Sequence, residues 1–225
     1  MVIKLKKIFN FFLLLLSFTL CFSNLRVYSV EEDSDIFEYS EIKDALQTSS
    51  TTTNYPDTNS THIIAIDRDS KRILFEKDGF SRAPMASTTK ILTAIIAIEN
   101  CKLDEQIEIS SNAAKIYGST LGIIANSKNT MQELLYGLML KSGNDCAIAI
   151  AEHIGNTVEG FSTIMNNKAK ELGLTNTNFT SPHGLDNENH YTTAYELALI
   201  TDYALKNNTF KNIVSTKQAT VRIRK

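Results

Sequence analysis

The chain has 225 residues, 43% of them hydrophobic and 21% charged, with a formal net charge of −2 and three cysteines. That balance argues against a nucleic-acid partner and against electrostatic docking on anionic lipid. Three cysteines do not make a disulfide scaffold, and no Cys/His cluster along the chain has metal-ligand spacing, so neither metal nor cofactor is expected.

In chain order, the first element is a secretory signal. Lys4, Lys6 and Lys7 form a positive region, and residues 8–22 are apolar apart from Asn10, Ser17 and Thr19. Val27-Tyr28-Ser29 offers small residues for cleavage after Ser29. The alternative is a retained anchor, but a spanning helix needs about 20 apolar residues. Cys21 has no lipoprotein cleavage box before it. The expectation is an exported protein with no membrane anchor beyond this segment. Removing residues 1–29 removes Lys4, Lys6, Lys7 and Arg26 and no acid, so 23 basic and 25 acidic residues become 19 and 25, a net charge of −6.

Residues 30–61 read as a linker, acidic from Glu31 to Glu41 and then Thr-rich, too polar to bury a core. The folded domain is expected over residues 62–225. It opens with a hairpin of two β-rich runs, 62–66 and 72–75, around a turn-like Asp67–Lys71. A helix over Ser87–Glu99 is apolar almost all round, which predicts a central, buried position. Thr130 with Glu133 forms a capping box for the next helix, followed by Met131, Leu134, Leu135 and Leu138 at amphipathic spacing. Gly143 and Asn144 break that helix, and Asp145–Ile154 is again apolar. A further amphipathic helix carries Phe161, Ile164, Met165, Ala169 and Leu172 and ends at Gly173. Thr193 and Glu196 cap a last one. Export permits a disulfide between Cys101 and Cys146; two free thiols are an equal expectation.

The chemistry sits at the breaks between helices. Ser87-Thr88-Thr89-Lys90 opens the buried helix, and a spacing of three residues puts Ser87 and Lys90 on one helical face. A serine hydroxyl becomes a useful nucleophile when a base takes its proton. A buried lysine can be that base, because burial disfavours the ammonium form. Ser-x-Asn occurs at Ser110, Ser127 and Ser142. Only Ser142-Gly143-Asn144 lies between two apolar helices, so Ser142 and Asn144 are the candidate partners; the other two copies read as loop caps. Lys141-Ser142-Gly143 resembles a Lys-Thr-Gly motif but ends a helix. His183 lies in the turn sequence Ser181-Pro182-His183-Gly184 and reads as structural rather than as a triad base. Tyr117-Gly118-Ser119 is either part of the cleft wall or a plain turn.

With these motifs in order, the chain resembles the serine D-alanyl-D-alanine carboxypeptidases among the low-molecular-mass penicillin-binding proteins. Further shared segments are Leu134-Leu135-Tyr136-Gly137-Leu138-Met139, Met165-Asn166, Glu171-Leu172-Gly173-Leu174, Pro182-His183-Gly184-Leu185-Asp186 and His190-Tyr191-Thr192-Thr193-Ala194. The resemblance implies an α/β (α+β) penicillin-binding or β-lactamase-like transpeptidase fold, an antiparallel sheet flanked by helices. It implies Ser87 as acylated nucleophile, Lys90 as general base, Ser142 as proton relay to the leaving amine and Asn144 as ligand for the substrate amide. The partners implied are peptidoglycan stem peptides and β-lactam antibiotics.

The family's pattern continues into a Lys-Thr-Gly strand, which recognises the substrate carboxylate and supplies half of the oxyanion hole. This sequence stops at Lys225 without one, so the expectation is a carboxypeptidase domain truncated at its C-terminus, with reduced or no activity. The alternatives are a non-catalytic, vestigial fragment and a β-lactamase. The last is disfavoured by Gly143, where class A enzymes carry Asp, and by the Pro182–Asp186 series.

Overall fold

The computed structural model describes residues 58–185 and 187–223. The expected signal segment and most of the expected linker lie outside the described residues, as does Asp186. Strand β1 (Ile63–Ile66) pairs antiparallel with β2 (Ile73–Lys77), Ile63 opposite Lys77 and Ala65 opposite Phe75. The hairpin expected from the β-rich runs is therefore present. Its turn is set by the Asp67 carboxylate, which accepts from the Ser70 N–H at 2.8 Å and the Ser70 hydroxyl at 2.6 Å.

A single 3₁₀ turn, Ala86–Thr89, runs straight into helix α1 (Lys90–Asn100). Helix α1 buries Leu92, Thr93, Ala94, Ile95, Ile96 and Ala97 and packs against five other α-helices, as its all-round apolar character requires. Strand β3 (Gln106–Glu108) pairs with β4 (Lys128–Thr130), and the short helix α2 (Ser111–Lys115) lies between them. The expected antiparallel pairing thus takes the form, among the described residues, of two two-stranded sheets. Ser110 caps α2 by accepting the Ala113 N–H, and Asn129 sits buried on β4. Ser110 and Ser127 thus act as caps, the second by donating its hydroxyl to the Ile124 carbonyl at 2.6 Å, while Asn129 of the second triplet belongs to a strand.

Helix α3 (Met131–Leu140) begins at the predicted capping box: the Glu133 N–H donates to Thr130 Oγ1 at 3.1 Å and the Thr130 N–H to Glu133 Oε2 at 2.9 Å. Helices α4 (Asn144–Gly155) and α5 (Val158–Glu171) follow, then α6 (Ala194–Lys206) and α7 (Asn208–Val214). The predicted Thr193 cap of α6 forms, accepting the Glu196 N–H at 3.0 Å. Glu196 does not complete a box. Its carboxylate turns inward to the N–H groups of Thr175 and Asn176 and the Thr177 hydroxyl. Helix α7 was not expected; the Asn207 side chain caps it, and it buries Phe210 and Ile213.

The core forms where α1, α3, α4 and α5 meet, with Leu92, Ile95, Ile96, Leu134, Leu135, Leu138, Ile150 and Phe161 almost fully buried. Burying each such side chain stabilises by about 1.5–3 kcal/mol. No helix among the described residues is long and apolar enough to cross a membrane. A cavity of about 530 Å³ lies between β1 and α6, lined by Ile64, Ile66, Leu197 and Leu205, with Arg68 and Lys71 paired to Asp202 beside it. None of the predicted site residues lines it.

Candidate active site

Ser87 is exposed on the 3₁₀ turn, and Lys90 below it is 2% exposed. Lys90 Nζ donates to Ser87 Oγ at 3.1 Å and to the His183 carbonyl oxygen at 2.8 Å. The i, i+3 spacing delivers this contact across one helical turn. Burial pulls the Lys90 ammonium down to about 8, with only the Cys146 thiol acting in the opposite sense. Burial and neighbouring Asp145 hold the Cys146 thiol well above its usual range, so its opposing pull on Lys90 is weak. No carboxylate forms an ion pair with Lys90 among the described residues. The result is a lysine with a substantial neutral fraction near pH 7.5, touching a solvent-facing hydroxyl.

The turn that presents Ser87 is strained and held. Ala86 has φ 44, a left-handed conformation unfavourable for a residue with a Cβ. Its carbonyl accepts from Thr89 Oγ1 at 2.8 Å. Thr89 Oγ1 in turn contacts His190 Nε2 at 2.8 Å, and His190 Nδ1 accepts from the Thr180 N–H at 3.0 Å. The Nδ1 acceptor role fixes the proton on Nε2, so the polarity runs from the His190 N–H through Thr89 to Ala86. Burial lowers the His190 pKa and keeps the ring neutral for that role. Gly184, at φ 82, closes against the same turn; a Cβ there would lie 1.9 Å from the Ala86 oxygen. No sequence pattern announced His190, Thr89 and Gly184 as supports of the turn that carries Ser87.

The wall over α1 is the segment Ser181–Leu185. Thr93 Oγ1 donates to the Pro182 carbonyl at 2.7 Å, beside the Lys90–His183 bond. The His183 ring serves its own turn, its Nδ1 accepting the Leu185 N–H at 3.1 Å. Burial, then Lys90, then His190 push its pKa down to about 4, so the ring is neutral. It makes no hydrogen bond to Ser87 among the described residues, in keeping with a structural role. Its backbone carbonyl is nevertheless a direct partner of the lysine, which sequence reasoning missed.

Asn144 starts α4, where Gly143 supplies the N-cap. It is 4% exposed; its Nδ2 donates to the Tyr117 carbonyl at 2.8 Å and its N–H to the Ser119 carbonyl at 2.7 Å. Tyr117–Ser119 is thus a wall beside Asn144, not a detached turn. Gly118, at φ 91, is required there because a Cβ would fall 2.8 Å from Asn144 Nδ2. Asp145, 1% exposed, pins the next stretch: its carboxylate accepts the N–H groups of Leu121 at 3.0 Å, Gly122 at 2.8 Å and Ile123 at 3.2 Å. Ser142 is half-buried on the α3–α4 turn with φ 57. Among the described residues its hydroxyl makes no hydrogen bond to Ser87 or Lys90. Cys146 and Cys101 are both free thiols, the first buried and the second partly so.

The arrangement sets an exposed serine hydroxyl against an enclosed lysine amine, a pairing whose chemistry suits acyl transfer. Comparison with known proteins follows that chemistry. A family model described as D-alanyl-D-alanine carboxypeptidase matches residues 49–225. A D-alanyl-D-alanine carboxypeptidase from Bacillus subtilis, DacF, is 36% identical over 158 residues, covering 68% of this chain and 41% of its own. A D-alanyl-D-alanine carboxypeptidase from a Streptomyces species is 38% identical over 161 residues, covering 66% of this chain and 55% of its own. The solved structure of D-alanyl-D-alanine carboxypeptidase from Mycobacterium tuberculosis superimposes with a TM-score of 0.72 at 30% identity, over 76% of this chain and 65% of that one. The chain thus spans about half the length of the curated relatives it matches.

Proposed function

Because the chain belongs to the D-alanyl-D-alanine carboxypeptidase family, we propose that it acts as an exported serine carboxypeptidase on peptidoglycan stem peptides ending in D-alanyl-D-alanine. The observation that carries this reading is the contact of Lys90 with both Ser87 Oγ and the His183 carbonyl. Neutral Lys90 takes the Ser87 proton as Oγ attacks the carbonyl carbon of the penultimate D-alanine. The resulting ammonium keeps its bond to the His183 oxygen, so the charge is received by a group already in place. Ser87 is in the first turn of a helical segment, where an N–H has no intrahelical partner and can face the developing oxyanion.

Collapse of the tetrahedral intermediate breaks the peptide bond. The terminal D-alanine leaves as its amine, protonated from Lys90 through the Ser142 hydroxyl, which makes no hydrogen bond to Lys90 among the described residues and has to turn toward it for this step. Water then attacks the Ser87 ester, Lys90 takes a proton from it, and the shortened peptide departs with Ser87 restored. Asn144, the first residue of α4, holds the substrate's amide in this reading. β-Lactams, whose strained amide occupies the same position as the scissile bond, acylate the same hydroxyl. The apolar segment of residues 8–22 supports export and action outside the cytoplasmic membrane.

The direct assay is release of free D-alanine from a synthetic peptide ending in D-alanyl-D-alanine. Release that depends on Ser87 and Lys90 is the expected result. Release that persists after Ser87→Ala would remove the assignment.

A further inference from the structure

At the far ends of α1 and α4 from the active site, the fold gathers three side chains of ligand type from separate elements. Cys101 is the C-cap of α1, Glu105 precedes β3, and His153 lies in the last turn of α4. One ligand atom from each falls within 4.8 Å of the others. Spacing along the chain gave no sign of this: the residues are 4 and 48 positions apart and meet only because α1, β3 and α4 pack together.

We infer that Cys101, Glu105 and His153 form a binding site for one thiophilic divalent cation, Zn²⁺ by chemical class. The donor set is one sulfur, one carboxylate oxygen and one imidazole nitrogen, the mixture that zinc accepts with a water as fourth ligand. Tetrahedral bonds of about 2.3 Å to sulfur and 2.0–2.2 Å to nitrogen and oxygen place ligand atoms about 3.4–3.6 Å apart. His153 Nε2 and Glu105 Oε1 are now 2.9 Å apart, and all three ligand atoms, within 4.8 Å of one another, would have to adjust to the tetrahedral spacing on binding.

Two further features favour a cation here. Both α1 and α4 end at this place, and helix C-termini carry partial negative charge. Glu105 is already aimed, because its second oxygen accepts the Lys102 N–H at 3.3 Å. An open depression of about 710 Å³, lined in part by Cys101, Asp104 and Glu105, gives access from solvent. Burial, then Glu105, push the free Cys101 thiol up to about 11. Binding therefore replaces its proton: the S–H bond breaks, the Zn–S bond forms, and H⁺ leaves to solvent. His153 must bind as the neutral ring with its proton on Nδ1, giving up the contact from Nε2 to Glu105.

The cation would clip together the distal ends of the two helices whose near ends carry Lys90 and Asn144. It has no part in the acyl transfer. The test uses the purified full chain, titrated with Co²⁺ as a spectroscopic stand-in and then with Zn²⁺. One equivalent of Co²⁺ should produce a thiolate-to-metal charge-transfer band, which Zn²⁺ abolishes, and one equivalent of Zn²⁺ should raise the melting temperature reversibly with chelator. Cys101→Ser should remove the band, and His153→Asn should weaken Zn²⁺ binding by at least about tenfold. Melting both variants in chelator beside the parent separates lost binding from lost folding. A titration with no charge-transfer band, or Zn²⁺ uptake equal in the parent and in Cys101→Ser, would overturn the site.

Discussion

Lys90 Nζ lies 3.1 Å from Ser87 Oγ, with the serine facing solvent and the lysine almost wholly enclosed. This difference in exposure within one helical turn is what the proposed chemistry rests on. The hydroxyl remains accessible to substrate, while enclosure keeps a fraction of the amine neutral.

The acylation rate should therefore follow the neutral fraction of Lys90. It should rise with pH and level off above about 8. Lys90→Arg, which stays charged and cannot accept the proton, should lower the rate by about 10²–10⁴-fold. A stopped-flow pH profile of β-lactam acylation reads both effects. A flat profile from pH 6 to 9 would contradict Lys90 as the base.

The same shift has a consequence for stability. The native pKa of about 8 lies below the unfolded value near 10.4. Between those values the unfolded chain binds more protons, so stability rises with pH across that window. Below pH 8 the full penalty applies, up to about 3 kcal/mol. Lys90→Met should remove this pH dependence between 8 and 10, as denaturant midpoints measured across the window would reveal. An unchanged slope would mean that Lys90 is not held in its neutral form.

Gly184→Ala should disable the nucleophile without touching it. The new Cβ meets the Ala86 oxygen and the backbone keeps a left-handed φ. Overpacking of about 1–3 kcal/mol and backbone strain of about 1–2 kcal/mol combine there. The expected outcome is a lower melting temperature and slower acylation than in the parent at equal folded fraction. Wild-type acylation in this variant would show that the Ala86–Ser87 turn tolerates displacement.

The Ser87–Lys90 contact was legible in the sequence, and the contacts that were not have a common physical reason. Ser87 and Lys90 meet through one helical turn, so their contact follows from spacing. The start of α4 at Asn144 follows from the break between two apolar helices. The support from His190 reaches Thr89 across 101 positions, and the His183 carbonyl reaches Lys90 across 93. Such contacts depend on how α1 packs against the 181–193 segment, which no local pattern encodes. Strands β3 and β4 have three residues each and helix α7 seven, too few for a period to stand out. Glu196 followed the capping rule only by half, because buried N–H groups of residues 175 and 176 compete for its carboxylate.

Asp145 should prove to be the anchor of the 121–123 stretch. Hydrogen bonds to a charged acceptor contribute about 1.5–3 kcal/mol each. Asp145→Asn should speed amide exchange at Leu121, Gly122 and Ile123 well before the helices open. Exchange unchanged at those amides would show that other contacts hold the stretch.

With nitrocefin the expected course is one equivalent of hydrolysis in a burst, then slow turnover. Among the described residues no carboxylate contacts Ser87 or Lys90 to activate a deacylating water. Sustained rapid turnover would instead favour a β-lactamase.

The most direct measurement is the covalent adduct itself. The purified protein is incubated with benzylpenicillin, digested, and the modified peptide identified by mass spectrometry. The account predicts a single penicilloyl group on Ser87, absent in Ser87→Ala and formed far more slowly in Lys90→Arg. An adduct on any other residue, or one formed equally fast in Lys90→Arg, would contradict it.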